Sequence, residues 1–186
     1  MYVTEQMLAP LAERYGTPQH ATFHFDVDSR EHDRIRSSQK GGRRHDFTLY
    51  IVKDRSIVVI AKHFYPPGLY RAPSGGLHVG EEVEQGIYRE AREETGCEIR
   101  LQRFLLRTDV SFETDTGTIA WNSFVFQAGY VRGDFEFSDR HEIREVRLVS
   151  LDEFPSFARL MRQSGTGGFL YRAALHEAVE KLLVLD

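Results

Sequence analysis

The segment Gly75–Glu98, GGLHVGEEVEQGIYREAREETGCE, constrains the fold more than any other part of the chain. Its apolar residues recur at helical spacing, which predicts an α-helix from about Glu81 to Thr95. Gly96 follows, and glycine is the residue best suited to end a helix in the left-handed conformation. The apolar stripe that should face the core consists of Val83, Ile87 and Ala91.

The last turn of this predicted helix places acidic residues on the face that should pack inward. At about 100° per residue, Glu94 falls within the apolar stripe, Glu90 lies beside it, and Glu93 is next to Glu90. Like charges one turn apart repel by roughly 0.2–0.5 kcal/mol per pair, and burial adds a desolvation cost. Arg89 and Arg92 project away from Glu94 and compensate it poorly. Clustered carboxylates suit Mg²⁺ or Mn²⁺, which prefer oxygen ligands, whereas a solvated acidic helix end is the alternative.

The spacing of the charged residues and glycines resembles the Nudix box, G-x5-E-x7-R-E-U-x-E-E-x-G-U, where U is a bulky aliphatic residue. Gly75 is followed after five residues by Glu81, and after seven more by the run REAREETGC, Arg89–Cys97. Every charged and glycine position matches, while Ala91 and Cys97 are small residues at the two U positions. The resemblance implies an α+β protein with a Nudix fold, a mixed β-sheet sandwiched between helices (α/β/α).

The resemblance also implies a role for each residue of the box. Glu90, Glu93 and Glu94 would bind Mg²⁺, with Mn²⁺ as the alternative metal, and the backbone carbonyl of Ser74 would join them. Other box residues would orient these ligands or shape the backbone around them without touching the metal. These supporting residues are Gly75, Glu81, Arg89 and Gly96.

Nudix enzymes typically hydrolyse a diphosphate that links a nucleoside to another group, X, so the resemblance implies a pyrophosphohydrolase that uses a metal-activated water. Relatives differ in which carboxylate deprotonates that water. Glu90 and Glu94 are the catalytic candidates within the box. Outside it, Glu145 precedes the strand-like VRLVSL and is the first candidate, with Glu142 as the alternative on the adjoining loop. A surface charge beside a strand is the competing interpretation for both.

The residues that would bind the substrate are less sharply marked by the sequence. Arg71 is placed to reach a phosphate. Three aromatic residues are able to stack on a nucleobase, although aromatic residues near strands more often belong to the core: Tyr65, Tyr70 and Trp121. After Cys97 no proline occurs before Pro155, so the proline that marks relatives acting on ADP-ribose is absent. The expected substrate is a small nucleotide-type diphosphate, with X left open.

Residues 1–42 are predicted to form an N-terminal extension, and residues 43–186 the Nudix domain with a C-terminal helix. The extension should contain a helix in the first fifteen or so residues, limited by Pro10 and ended by Gly16, and a strand at Ala21–Val27. A charged loop without apolar periodicity should follow. A solvated loop is favoured there over contact with phosphates. The basic residues of this segment are Arg34, Arg36, Lys40, Arg43 and Arg44.

Beyond the box, alternating apolar residues predict further strands before a capping-box pattern, Ser150–Glu153. This pattern should begin a short helix that Pro155 perturbs. The stretch SGTGG is expected to be a linker, and a final helix should follow it. No internal repeat is visible.

Composition excludes several classes of protein. The formal charge of -4 argues against DNA as a partner, and one cysteine cannot form an intramolecular disulfide. No apolar run reaches the ~18 residues of a membrane span, and the N-terminus lacks the apolar core of a signal peptide. We therefore expect a cytoplasmic protein without a membrane partner, and a homodimer by analogy with relatives that carry N-terminal extensions.

Two other functions deserve comparison with hydrolysis. Some Nudix-fold proteins bind nucleotides without cleaving them, but these usually lack carboxylates of the box, which this chain retains. Diphosphate isomerases of similar fold generally need a catalytic cysteine in the first half of the chain, whereas Cys97 occupies a packing position after the box. The non-catalytic binding module is the main alternative.

Overall fold

The computed structural model describes residues 3–39, 42–115 and 117–185. Their helices are α1 (Glu5–Tyr15), α2 (Ser29–Ser38), α3 (Val83–Thr95), α4 (Phe154–Ser164) and α5 (Gly167–Glu180). Their strands are β1 (Gln19–Asp26), β2 (His45–Lys53), β3 (Ser56–Lys62), β4 (Ser74–Gly75), β5 (Cys97–Thr114), β6 (Gly117–Gly133) and β7 (Ile143–Ser150). None of the helices in these residues is long and apolar enough to cross a membrane.

The strands form one seven-stranded sheet in the order β1-β5-β6-β2-β3-β7, with the short β4 paired to β2. The sheet is mixed, because β1 runs parallel to β5 and β2 runs parallel to β6, while the other pairs are antiparallel. The predicted α+β class and the mixed sheet between helices are therefore confirmed.

The alternation of side chains along the central strands creates two separate cores, one on each face of the sheet. On the first face, Phe47 and Leu49 of β2 pack in a cluster with residues of α1 and α3. On the opposite face, Tyr50 of β2 packs in a second cluster with residues of α4 and α5. We call these the α3 face and the α5 face.

The N-terminal residues belong to the same sheet rather than forming an appendage. Strand β1 pairs along its whole length with β5, from Gln19 opposite Leu106 to Asp26 opposite Glu113. Helix α1 buries leucines against the α3 face and continues past Pro10 to Tyr15, with Gly16 at its C-cap. The predicted end at Gly16 is therefore confirmed, and the predicted limit at Pro10 is wrong.

The prediction of a charged loop after β1 is also wrong, because Ser29–Ser38 forms helix α2. The side chain of Asp28 accepts a hydrogen bond from the backbone N–H of Glu31 at 2.7 Å and caps the helix. The carboxylate of Glu31 in turn accepts hydrogen bonds from the N–H groups of Gly167 and Gly168 at 2.8 and 2.7 Å. A long-range contact thus stabilises a helix that has almost no apolar face. Lys40, part of the predicted loop, lies outside the described residues.

The segment after β7 confirms the predicted capping box but not the predicted effect of proline. Ser150 and Glu153 make both capping-box hydrogen bonds around a 3₁₀ turn at Leu151–Glu153. Pro155 then occupies the first turn of α4, where a missing N–H costs nothing, and the helix continues to Ser164. The SGTGG stretch is only partly a linker, since Gly167 already begins α5.

Candidate active site

The box helix α3 ends as the sequence predicts. Gly96 has φ 70° and ψ 11°, in the left-handed region, and its N–H bonds to the carbonyl of Arg92. A Cβ at Gly96 would also lie 2.6 Å from the carbonyl oxygen of Glu136, so glycine is required both by conformation and by space. This stop fixes where the last turn of α3, with its glutamates, meets the sheet.

The two glycines that open the box make room for side chains. Neither Gly75 nor Gly76 has a positive φ, so neither is needed for an unusual turn. A Cβ at Gly75 would lie 1.9 Å from the carboxyl carbon of Glu90, and a Cβ at Gly76 would lie 2.1 Å from Nη1 of Arg43. The glycines therefore allow an acidic and a basic side chain to lie directly against the backbone.

Arg89 connects most of the acidic residues of the box. Its Nε and Nη2 donate to the two carboxylate oxygens of Glu81 at 2.8 and 2.9 Å. Its Nη1 donates to Glu90 at 2.9 Å and to Glu93 at 2.8 Å. The hydrogen bond from Arg89 lowers the pKa of Glu81 to about 2, so Glu81 stays ionised. The expected poor compensation by the helix's own arginines thus holds for Glu94 but not for Glu90 and Glu93.

Glu94 is the most buried carboxylate of the group. It is 3% exposed, and its Oε2 accepts a hydrogen bond from the backbone N–H of Ser74 at 2.8 Å. The nearest cation is Arg71, whose Nη2 lies 3.9 Å from Oε1 of Glu94. Desolvation raises the pKa of Glu94 to about 7 despite this partial compensation. A further cation close to this buried carboxylate would stabilise its ionised form.

The side chains predicted to bind metal line one cavity of about 300 Å³. We call it the box cavity. Glu90, Glu93, Glu94 and Ser74 all contribute to its wall, together with residues that the sequence did not assign to the site. These additional residues include Arg43, Lys62 and Asp139, and the wall also contains Glu142, the alternative base of the sequence analysis.

The donors fit a hard cation in kind, although their present arrangement is not that of a bound metal. Carboxylate oxygens from Glu90, Glu93 and Glu94 share one polar cavity, which suits Mg²⁺ or Mn²⁺. No three acidic, histidine or cysteine side chains of the described residues are arranged to hold a metal ion. Glu90 and Glu93 instead share the guanidinium of Arg89, and Glu94 bonds to Ser74.

The structure does not place Glu145 on the box cavity. Its carboxylate accepts a hydrogen bond from the hydroxyl of Tyr70 at 2.8 Å, and Tyr70 packs in the cluster of the α5 face. Glu142, the alternative of the sequence analysis, does line the box cavity and forms an ion pair with Lys62. The loop between β6 and β7 therefore contributes the acid to this cavity, Glu142, three residues before Glu145 of β7.

Arg71, one of the predicted substrate residues, lies beside a second cavity that adjoins the box cavity. Arg71 is 3% exposed and donates to the hydroxyl of Tyr65 at 2.7 Å and to Oγ of Ser74 at 2.9 Å. It lines a cavity of about 270 Å³ whose other walls include Lys62, Phe64 and Phe169, and we call this the aromatic cavity. Lys62 lines both this cavity and the box cavity, so the two adjoin.

Two of the predicted aromatic contacts are largely buried. Trp121 is 8% exposed and lines a smaller cavity of about 140 Å³ with Ile35, Tyr171 and Arg172. Tyr70 is 6% exposed and lies on none of these three cavities. The residues that sequence reasoning missed are Phe64 and Phe169, which no motif marks and which only tertiary structure brings together.

The sheet between helices, with the box at its centre, defines a Nudix protein, and comparison with known proteins gives the same result. The sequence model of the NUDIX domain matches residues 42–170, so the chain belongs to the Nudix family. Among solved structures, a NUDIX hydrolase from Nitrosomonas europaea aligns over 77% of this chain and 93% of its own, with TM-score 0.52 and 18% identity. A UDP-X diphosphatase aligns over 82% and 73%, with TM-score 0.50 and 21% identity.

Curated relatives share the domain at low identity. The NAD-capped RNA hydrolase NudC of Pseudomonas aeruginosa is 23% identical over 135 residues, which cover 69% of this chain and 46% of the relative. The enzyme of the same name from Vibrio vulnificus is 26% identical over 111 residues, covering 59% of this chain and 40% of the relative. The chain thus spans less than half the length of these relatives.

Proposed function

We propose that the protein hydrolyses the pyrophosphate bond of a nucleoside diphosphate linked to a second group, X, in a reaction that depends on Mg²⁺. The observation that carries this proposal is the presence of three glutamates from one helical turn on the wall of a single polar cavity. One of them, Glu94, is buried with only partial cationic compensation. Family membership supports the same class of reaction.

Glu90, Glu93 and Glu94, with the carbonyl of Ser74, are the residues that would hold the metal. A bound Mg²⁺ would neutralise charge on the diphosphate and lower the pKa of a coordinated water. Mn²⁺ has the same preference for oxygen ligands and is the alternative metal. Arg89 and Glu81 hold Glu90 and Glu93 in position through the hydrogen bonds described above.

We assign the general base to Glu90. Its Oε1 accepts hydrogen bonds from Arg89 at 2.9 Å and from the N–H of Gly76 at 3.2 Å. Oε2 receives no hydrogen bond within the described part of the chain and is therefore open to take a proton. Water would attack one phosphorus in line, its proton would pass to Oε2, and the bond from that phosphorus to the bridging oxygen would break. Glu142 is the alternative base, because it lines the same cavity whereas Glu145 does not.

The aromatic cavity is where we place group X. It adjoins the box cavity at Lys62, and Phe64 on its wall is 66% exposed, so its ring is accessible to a ligand. Phe64 and Tyr65 meet edge to face at 4.9 Å, and Tyr65 meets Phe169 at 5.2 Å in the same manner. Such rings offer a stacking surface to a planar heterocycle.

A release assay over a panel of diphosphates tests the proposal. The panel contains nucleotide sugars, dinucleotides including NAD⁺, coenzyme A, oxidised nucleoside triphosphates and NAD-capped RNA, each with and without Mg²⁺. NAD⁺ and NAD-capped RNA are included because of the curated relatives named above. Turnover that EDTA removes and Mg²⁺ or Mn²⁺ restores supports the proposal. Saturable binding without turnover of any member would instead establish a nucleotide-binding module.

We further propose that the protein acts in the cytoplasm on a free small-molecule nucleotide, and that it forms a homodimer. The single cysteine, Cys97, is buried and unpaired, as expected for a reducing compartment. Sedimentation equilibrium of the full chain measures the oligomeric state directly, and a monomer at all concentrations would remove the dimer from the proposal.

A further inference from the structure

The cations on the wall of the box cavity differ in how they are paired. Arg89 contacts Glu81, Glu90 and Glu93, and Lys62 forms an ion pair with Glu142. Arg43 lines the same cavity but forms no ion pair with any carboxylate of residues 3–39, 42–115 and 117–185. Within those residues, Arg43 is therefore the cation of the box cavity that no carboxylate neutralises, and its charge is available to an anionic ligand.

Neutral groups hold the side chain of Arg43 in place. Its Nη2 donates to the backbone carbonyl of Ser38 at 3.4 Å, and its Cζ lies 6.0 Å from the ring centroid of Trp121. The missing side chain at Gly76 makes room for it, since a Cβ there would lie 2.1 Å from Nη1 and 2.6 Å from Cδ. These neutral contacts therefore position the guanidinium without neutralising its charge.

A positioned guanidinium without a carboxylate partner is the arrangement that recognises phosphate. Its planar set of N–H donors matches two oxygens of a phosphoryl group at once, and charge-assisted hydrogen bonds of this kind are about twice as strong as neutral ones. The surrounding carboxylates repel an anionic ligand, so binding of phosphate in this cavity requires a cation such as Arg43. Arg43 precedes β2 and lies outside the box, so the motif itself gives no indication of this role.

We propose that Arg43 binds the phosphate oxygens of the diphosphate substrate, opposite the carboxylates of α3. This assignment rests on the proposed function, because it names a residue that contacts the substrate of that site. In this arrangement, the absence of a side chain at Gly76 leaves space for Arg43 beside the scissile group. Helix α2 then helps to position a substrate-binding residue, because the backbone carbonyl of Ser38 accepts a hydrogen bond from Arg43.

Trp121 supplies a direct readout, because it is the only tryptophan of the chain and lies against the guanidinium. Binding of a phosphate to Arg43 changes the electric field at this indole and hence its fluorescence. Replacement of Trp121 by phenylalanine retains an aromatic ring beside Arg43 but removes the signal, which identifies the source of the emission.

The test measures binding of methylenediphosphonate, a diphosphate analogue that cannot be hydrolysed at its bridge, in the presence of Mg²⁺. Isothermal titration calorimetry and Trp121 fluorescence are applied to the wild type and to Arg43→Ala, Arg43→Lys and Arg36→Ala. Arg36 is exposed on α2 and lines neither the box cavity nor the aromatic cavity, so its loss removes the same charge from a nearby surface. Thermal unfolding of each variant verifies the fold.

We expect Arg43→Ala to weaken the analogue by about 10- to 100-fold, Arg43→Lys to weaken it less, and Arg36→Ala to change affinity by less than about threefold. Equal affinity of Arg43→Ala and wild type, or equal losses in Arg43→Ala and Arg36→Ala, would overturn the assignment. So would a wild type that does not bind the analogue. A wild type that binds it through Arg43 but hydrolyses nothing in the panel would refute the proposed hydrolysis and leave the assignment of Arg43 intact.

Discussion

The two faces of the sheet bury ionisable groups in opposite ways. On the α5 face, burial keeps His176 and Tyr50 neutral, since it lowers the pKa of His176 to about 3 and raises the pKa of Tyr50 well above its ordinary value. The charged residues Asp46 and Arg172 pair there at 2.5 Å. On the α3 face, one arginine, Arg89, forms ion pairs with three carboxylates.

This difference distinguishes a packed core from a site that is prepared for a ligand. A core removes charge or pairs it completely, because an unpaired buried charge costs several kcal/mol. The box cavity keeps Glu94 buried with a single cation at 3.9 Å and contains Arg43, which is unpaired with any described carboxylate. Incomplete pairing is therefore the physical feature that separates the candidate active site from its surroundings.

The largest effect is expected from Glu94→Gln, which removes a proposed metal ligand while keeping the shape of the side chain. We expect turnover of the diphosphate found in the panel to fall by at least about 10³-fold, equivalent to about 4 kcal/mol of barrier. Stability should be unchanged or slightly higher, since burial already raises the pKa of Glu94 to about 7. The measurements are steady-state kinetics with Mg²⁺ and urea unfolding; full activity would contradict the metal assignment.

The next largest effect concerns the ion pair of the α5 face. Arg172→Met leaves Asp46 buried without its cation, and breaking a buried pair from one side costs about 3–5 kcal/mol. Urea unfolding at neutral pH measures this loss. The double variant Asp46→Asn with Arg172→Met should recover much of it, because no uncompensated charge remains. A loss below about 1 kcal/mol in the single variant would show that the pair is not buried as described.

A pH titration of stability tests the buried neutral state of His176, because one proton bound only by the unfolded chain gives a slope of about 1.4 kcal/mol per pH unit. The folded pKa of His176, about 3, lies below its ordinary value of 6.5, so the unfolded chain binds more protons between these values. The contribution of His176 is complete above pH 6.5 and declines as the pH falls toward 3. We expect His176→Gln to reduce the slope of unfolding free energy against pH over this range. An unchanged slope would mean that His176 is protonated in the fold.

His45 is the internal comparison for this titration. Burial lowers the pKa of His45 to about 4, and His45 begins β2 far from α5 in sequence. Part of the slope should therefore remain in His176→Gln and disappear only when His45 is replaced as well. Far-UV circular dichroism at each pH verifies that the loss of stability precedes any loss of helix.

The smallest effect should come from the aromatic cavity between the box cavity and α5. Phe64→Ala removes a stacking surface that is 66% exposed, so we expect KM for the preferred diphosphate to rise by about 3- to 10-fold, with kcat and stability nearly unchanged. Val79→Ala is the matched control, since Val79 is 92% exposed and lines none of these cavities. Equal KM values for both variants would place group X elsewhere.

Local sequence was sufficient to predict the helix of the box, its stop at Gly96 and the capping box at Ser150. Each of these features depends on residues within one or two turns of one another. The same information failed for α2, because the hydrogen bonds from α5 to Glu31 join residues more than one hundred positions apart. Helix propensity depends on local sequence and therefore does not predict such a contact.

The candidate site shows the same division between local and long-range information. The three glutamates of α3 share a cavity because helical geometry places them together. Arg43 and Glu142 reach that cavity from the start of β2 and the loop before β7. The orientation of Glu145 follows from strand pairing near a register shift opposite Ala61 and Lys62, which no sequence pattern marks. Sequence therefore located the acidic turn, whereas for Arg43 it favoured a solvated loop over contact with phosphates.

The parallel pairing of β1 with β5 has a practical consequence for anyone who wishes to shorten the protein. Trimming the chain to the stretch 42–170 that matches the family would strip the outermost strand from the sheet and bare the hydrogen-bonding groups of β5 over the span Leu106–Glu113. An exposed edge strand of this kind pairs with strands of other chains and promotes aggregation. We therefore expect a stable shortened form to retain β1, which covers this edge of β5.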